Sequence, residues 1–101
     1  MSSYSVDKNR GTGRTTRQMQ AMPQKGIFIS CNHACMYYNI QLTRKLNRTD
    51  IRVVGPDWVT GMSWQGHTYS AIVLDHAYPD VNPRNRFFYN YFNQALTRVT
   101  K

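Results

Sequence analysis

The sequence predicts a small three-layer α/β domain, in which a short, mainly parallel sheet of three or four strands is flanked by helices. Three observations lead there. Apolar runs rich in β-branched residues recur as GIFIS (26–30), IRVVG (51–55) and AIVLD (71–75). These runs are continuous rather than alternating, the pattern of strands covered on both faces. Segments with helical spacing separate or follow them, as in a layered α/β chain.

The elements follow in order. Residues 1–9 are polar and are expected to form a flexible lead-in, with one α/β domain over 10–101. RQMQAM (17–22) predicts a two-turn helix stopped by Pro23 and Gly26. After the first strand, HACMYYNIQLTRKLNR (33–48) predicts a longer helix. Asn32 is its N-cap, and Cys35, Tyr38, Leu42 and Leu46 lie on its inward stripe. The second strand halts at Gly55 and Pro56, and PDWVTGMSWQGHTYS (56–70) reads as an ordered loop or short helical turn. Asn82 is expected to cap a final helix with Pro83 at its first position, turning Phe88, Tyr91, Phe92, Ala95 and Val99 inward. A fourth strand is expected from residues 3–7 or from the 58–70 region. Ligands of open parallel sheets sit beyond the carboxyl ends of the strands, marked here by Ser30, Gly55 and Asp75.

Composition narrows the function classes. With 101 residues, 41% hydrophobic and 13% aromatic, the chain has enough apolar area to offset ordering entropy, which excludes a disordered polymer. No apolar run approaches bilayer length, and MSSYSVDKNR lacks the apolar stretch of a signal peptide. A cytoplasmic location without membrane association is therefore expected, and with it two reduced cysteines. Thirteen Lys or Arg face five acids, a net charge of +8, and every acid is Asp: Asp7, Asp50, Asp57, Asp75 and Asp80. Such a field attracts phosphate-rich or acidic partners. The cations gather as Lys8, Arg10, Arg14 and Arg17, as Arg44, Lys45, Arg48 and Arg52, and as Arg84 with Arg86.

The first of these patches surrounds RGTGRTT (10–16). Gly11 and Gly13 permit a turn whose amides point inward, and the helix that follows adds unpaired N–H groups and a positive dipole end. Arg14 supplies a charged fork for phosphate oxygens, and Thr15 or Thr16 a hydroxyl for Mg²⁺. GTGRTT, followed by AIVLDHAY at 71–78, resembles a shortened P-loop NTPase, and its GxGRTT form is similar to small proteins of tailed bacteriophages. The resemblance implies a phosphate cradle of Gly11, Thr12, Gly13, Arg14, Thr15 and Thr16. It also implies a nucleotide with Mg²⁺, the ion associated with Thr15 and with Asp75 at the end of the Walker B strand.

The departures from that pattern bear on chemistry. Lys8 stands where the first P-loop glycine falls, and Arg14 replaces the lysine, a planar fork in place of a point charge. DHAY echoes the helicase D-E-x-x box, but His76 occupies the glutamate position and the chain contains no Glu. A missing base costs about 10²–10⁴ in rate. Binding of nucleotide or nucleic-acid phosphate with little or no hydrolysis is therefore expected, in a phage-type accessory protein of the host cytoplasm. The alternative is a basic module that grips nucleic acid or inhibits an acidic host protein and has no nucleotide site. Arg10, Arg17, Trp58, Trp64 and His76 are the contact residues, the tryptophans offering a stacking surface. Cys31, His33 and Cys35 have a spacing, C-x-H-x-C, that is not a standard zinc pattern, so no zinc is expected. A sheet this small can extend by pairing across a homodimer.

Overall fold

The computed structural model describes residues 14–81 and 84–100, with residues 80 and 81 described by backbone alone. Its elements are α1 (Arg14–Ala21), β1 (Ile27–Ile29), α2 (His33–Lys45), β2 (Arg52–Val54), α3 (Asp57–Thr60), β3 (Ile72–Leu74), α4 (Ala77–Val81) and α5 (Arg86–Leu96). Among the described residues the sheet has three strands in the order β2-β1-β3. Both pairings are parallel: Ile27 faces Arg52 and Ile72, and Ile29 faces Val54 and Leu74. The ladder continues one step beyond the strands, through Ser30 N–H to Val54 O at 2.8 Å and Asp75 N–H to Ile29 O at 2.9 Å. The small α/β fold expected from the sequence is therefore the observed one.

The pleat sorts side chains into two cores. Ile27 and Ile29 point to one face, where they join Val54, Trp58, Val59, Trp64, Ile72, Tyr78, Phe88 and Ala95. Phe28 points to the other, against Met19 and Met22 from α1's end and Leu42 and Leu46 from α2's. All three β1 residues are buried, as a central strand between two layers requires. Tyr78 and Phe88 stack with ring centroids 4.2 Å apart, and Asn85 Nδ2 donates to the Tyr78 hydroxyl at 3.1 Å. Helix α5 thereby docks beside the end of β3.

A cationic latch secures α1. Arg48 forms a two-pronged ion pair with Asp50, Nε to Oδ1 at 3.0 Å and Nη2 to Oδ2 at 3.1 Å. The same guanidinium donates to Met19 O at 2.8 Å, a carbonyl that also accepts from Met22 N–H at 3.2 Å, and to Met22 O at 3.0 Å, just past the end of α1. Lys25 N–H donates to Asp50 Oδ2 at 2.9 Å. Arg48 was grouped by sequence with a cationic track; in the fold it is a structural tie.

Several boundaries differ from the sequence expectation. Helix α1 is already formed at Arg14, the first described residue and three residues before RQMQAM. The inward face of α2 buries Asn39 and Thr43, whereas Tyr38 is 41% exposed. Asn85 caps α5, its Oδ1 accepting from Phe88 N–H at 3.1 Å. The expected cap at Asn82 and Pro83 lies outside the described residues, as does the possible strand at 3–7. The 58–70 region gives α3 and turns rather than a strand, apart from a single bridge between Tyr69 and Val99. Among the described residues no helix is long and apolar enough to cross a membrane.

Removing the Phe88 ring opens a cavity in the larger core, so Phe88→Ala is expected to lower the unfolding free energy by about 3–5 kcal/mol in urea titration. The Arg48 guanidinium, together with the Lys25 amide, holds the Asp50 carboxyl well below the usual carboxylate range. A depressed acid stabilises the folded state above its unfolded value of about 4, and that contribution is lost as pH falls toward the folded value. Asp50→Asn is expected to lower the melting temperature at neutral pH and to flatten its fall below about pH 4. An acid limb as steep as wild type excludes this origin.

Candidate functional site

Parallel register brings Ser30 and Asp75 side by side at the carboxyl edge of the sheet, on the face shared with Phe28 and Val73. Helix α2 crosses beneath them and contributes Asn39, which is 2% exposed. Its Nδ2 donates to Ser30 Oγ at 2.9 Å and to Asp75 Oδ2 at 3.3 Å. The other carboxylate oxygen accepts from Ala77 N–H at 3.2 Å, at the start of α4. Asp75 is itself 4% exposed. Among the described residues it has no Lys or Arg partner, and the nearest basic atom is His76 Nε2 at 3.8 Å.

Helix α1 reaches the same edge from above. Thr15 Oγ1, in its first turn, lies 3.0 Å from His76 Nε2. One turn on, the Gln18 carboxamide donates to Leu74 O at 3.1 Å and accepts from His76 N–H at 3.2 Å. These two backbone groups lie on the flank of β3 turned away from β1, so Gln18 stands in for a neighbouring strand. The start of α1 and the end of β3 are thereby joined by three hydrogen bonds. His76 Nδ1 is buried without a hydrogen-bond partner among the described residues.

The sequence-proposed residues divide into three groups. Arg10, Gly11, Thr12 and Gly13 lie outside the described residues. Arg14, Thr15, Thr16 and Arg17 lie in the first described turn of α1, with both arginines exposed, Thr15 buried and Thr16 half-buried. Thr15, His76 and Asp75 are brought together. Trp58 and Trp64 are not part of this edge: at 6% and 3% exposed they belong to the core on the opposite face of the sheet. Trp58 meets the Tyr69 ring edge-on at 5.5 Å, and Trp64 Nε1 donates to Val59 O at 2.9 Å. The expectation that this pair stacks on bases is corrected, because neither indole presents a free face. His76 likewise serves inside the edge rather than as an outward contact, its side chain only 11% exposed.

The donor set suits a hard cation. A carboxylate and a threonine hydroxyl are oxygen ligands of the kind Mg²⁺ accepts, and Mg²⁺ completes its shell with water and phosphate. Among the described residues no group of three or more His, Cys, Asp and Glu side chains is arranged to hold a metal without such help. Asp75 and Thr15 are the oxygen-bearing side chains on either side of His76 Nε2, at 3.8 Å and 3.0 Å. On the same side of the chain's next turn, Cys31 and Cys35 are reduced thiols with Sγ atoms 2.9 Å apart, and burial and the Cys35 neighbour push the Cys31 thiol up to about 12.

Asn39, Ser30 and Gln18 were not nominated by sequence as site side chains. Asn39 had a signal, since it is a polar residue four positions after Cys35 and three before Leu42, on the face those two define. Gln18 follows Thr15 by one turn, which is the spacing of a shared helix face. Comparison with protein-family models, with curated proteins and with solved structures returned no match.

Replacing Asn39 with leucine strips Ser30 and Asp75 of a buried donor. Asn39→Leu is expected to cost about 1–3 kcal/mol of stability, read by chemical denaturation at neutral pH. A neutral substitution rules out a satisfied network at this edge.

Proposed function

We propose that the chain binds a phosphate-bearing ligand, foremost a nucleotide with Mg²⁺, at the sheet edge where α1 begins, with little or no hydrolysis. The observation that carries this reading is the contact of Thr15 with His76 beside Asp75, at 3.0 Å and 3.8 Å. Thr15 belongs to the stretch that resembles a P-loop, and His76 and Asp75 to the stretch that resembles a Walker B strand. Two further features support the reading. Asp75 is a buried carboxylate whose donors, Asn39 and the Ala77 amide, are neutral, with no Lys or Arg partner among the described residues. The exposed Arg14 adjoins Thr15 on α1, which places a cationic side chain next to that residue in the chain.

Weak or absent turnover follows from the side chains at hand. The position after Asp75 is His76, whose Nε2 is engaged with Thr15, and no glutamate exists to orient attacking water. The likeness of GTGRTT to proteins of tailed phages supports an accessory role rather than that of a motor enzyme. A second reading has its own observation: Arg14, Arg17, Arg44, Lys45 and Arg52 are all exposed, a surface suited to a phosphate backbone.

Thermal melts with millimolar Mg²⁺–ATP, Mg²⁺–GTP and Mg²⁺–pyrophosphate test the first reading. Ligand at a hundred times its Kd adds about 2.7 kcal/mol, so the melting temperature is expected to rise by several degrees. Arg14→Ala and Asp75→Asn are expected to abolish the rise. A wild-type midpoint unmoved by all three ligands overturns the nucleotide reading. If the second reading holds, affinity for duplex DNA falls steeply with salt, with a log–log slope of about −0.9 per phosphate neutralised. A flat response points instead to a protein partner.

A further inference from the structure

Beyond the anion-binding edge, the chain carries a second arrangement of reactive groups. Cys31 leaves the end of β1 and is 5% exposed, packed in the core with Ile29 and Val54. Cys35 is half-buried in the first turn of α2. Asn32 caps that turn, its Oδ1 accepting from Cys35 N–H at 2.8 Å. One thiol is thus fixed by the core and the other by a capped helix, and the Cys31 thiol donates to the Cys35 sulfur at 2.9 Å. A disulfide needs about 2.0 Å between sulfurs, so closure asks for a displacement of under an ångström.

We propose that Cys31 and Cys35 form a reversible dithiol–disulfide couple, a redox modification site at the junction of β1 and α2. The oxidant is a hydroperoxide, and the reductant a small dithiol. Cys35, the more accessible sulfur, attacks the terminal peroxide oxygen. The O–O bond breaks, an S–OH group forms, and the leaving oxygen departs with a proton as water or alcohol. The Cys31 sulfur then attacks Cys35, the S–O bond breaks, and the departing hydroxide takes up the Cys31 proton as water while the S–S bond forms. Two thiols lose two electrons in all, and one peroxide gains them. The buried Cys31 waits as the resolving thiol, because its surroundings shield it from oxidant until its neighbour has reacted.

The couple does not rest on any ligand occupying the Asp75 edge. It adjoins that edge through Ser30, one residue before Cys31, so closure staples the end of β1 to the turn that leads toward Asn39.

Intact-mass analysis of the full chain after brief treatment with hydrogen peroxide, followed by alkylation in denaturant, tests the proposal. Wild type is expected to lose the mass of two hydrogens, to resist alkylation at both cysteines, and to regain two alkylation sites after dithiothreitol. Cys31→Ser, which leaves the cap at Asn32 intact, is expected to stop at a Cys35 sulfenic acid that a cyclic dione traps. Should wild type instead gain oxygen atoms, form disulfide-linked dimers, or keep both thiols alkylatable, the couple does not close and the proposal is overturned. The wild-type measurement decides the matter even if the serine variant folds poorly.

Discussion

A carboxylate buried at the end of a strand is tolerable only when its surroundings supply what water no longer does. Asp75 meets that condition through Asn39 on one oxygen and the Ala77 amide on the other. Much of the molecule's arrangement serves the same requirement. Helix α2 has to cross at the height that delivers Asn39, β1 has to end at Ser30 to share its donor, and α4 has to start where its amide turns back. Register errors in the sheet would separate Ser30 from Asp75 and leave three polar groups without partners.

The two halves of the molecule meet that requirement by different physics. On the face with Trp58, Trp64, Tyr78 and Phe88, aromatic packing fixes β1 and β3 through area and ring stacking. The face with Met19, Met22 and Phe28 is thinner, built on flexible methionines, and it relies on Arg48 to hold α1 by its final carbonyls. Helix α1 is therefore held by polar contacts on both sides of Met19, by Arg48 at its close and by the Thr15–His76 and Gln18 contacts toward β3.

The sheet was legible in the sequence because three apolar runs with no alternation leave few other solutions, and all three strands fall inside the runs. The Asp75 edge was legible for a related reason, since parallel strands align their carboxyl ends. Less was visible where tertiary contacts outvote local signals. Tyr38 and Asn39 are adjacent on α2, and hydropathy favours the tyrosine for the interior; the hydrogen-bonding demand of Asp75 selects the asparagine. The tryptophans misled in the same way: an ordered loop or short helical turn beside the strand ends suggested a stacking surface, whereas α3 and the turns after it bury both indoles in the core. The start of α5 shifted because the segment after β3 first forms α4, a turn that no strong periodicity announces.

Gln18 has one more implication. An outer strand of a sheet ordinarily offers its bare amides and carbonyls to any passing chain, which is how small β-containing proteins come to associate indiscriminately. At the level of residues 74–76 that invitation is withdrawn, since a side-chain amide already occupies both hydrogen-bonding positions. The opposite flank begins with the exposed, charged Arg52, a residue that repels a second copy of itself. Among the described residues both flanks of the sheet are thus guarded, once by imitation and once by charge.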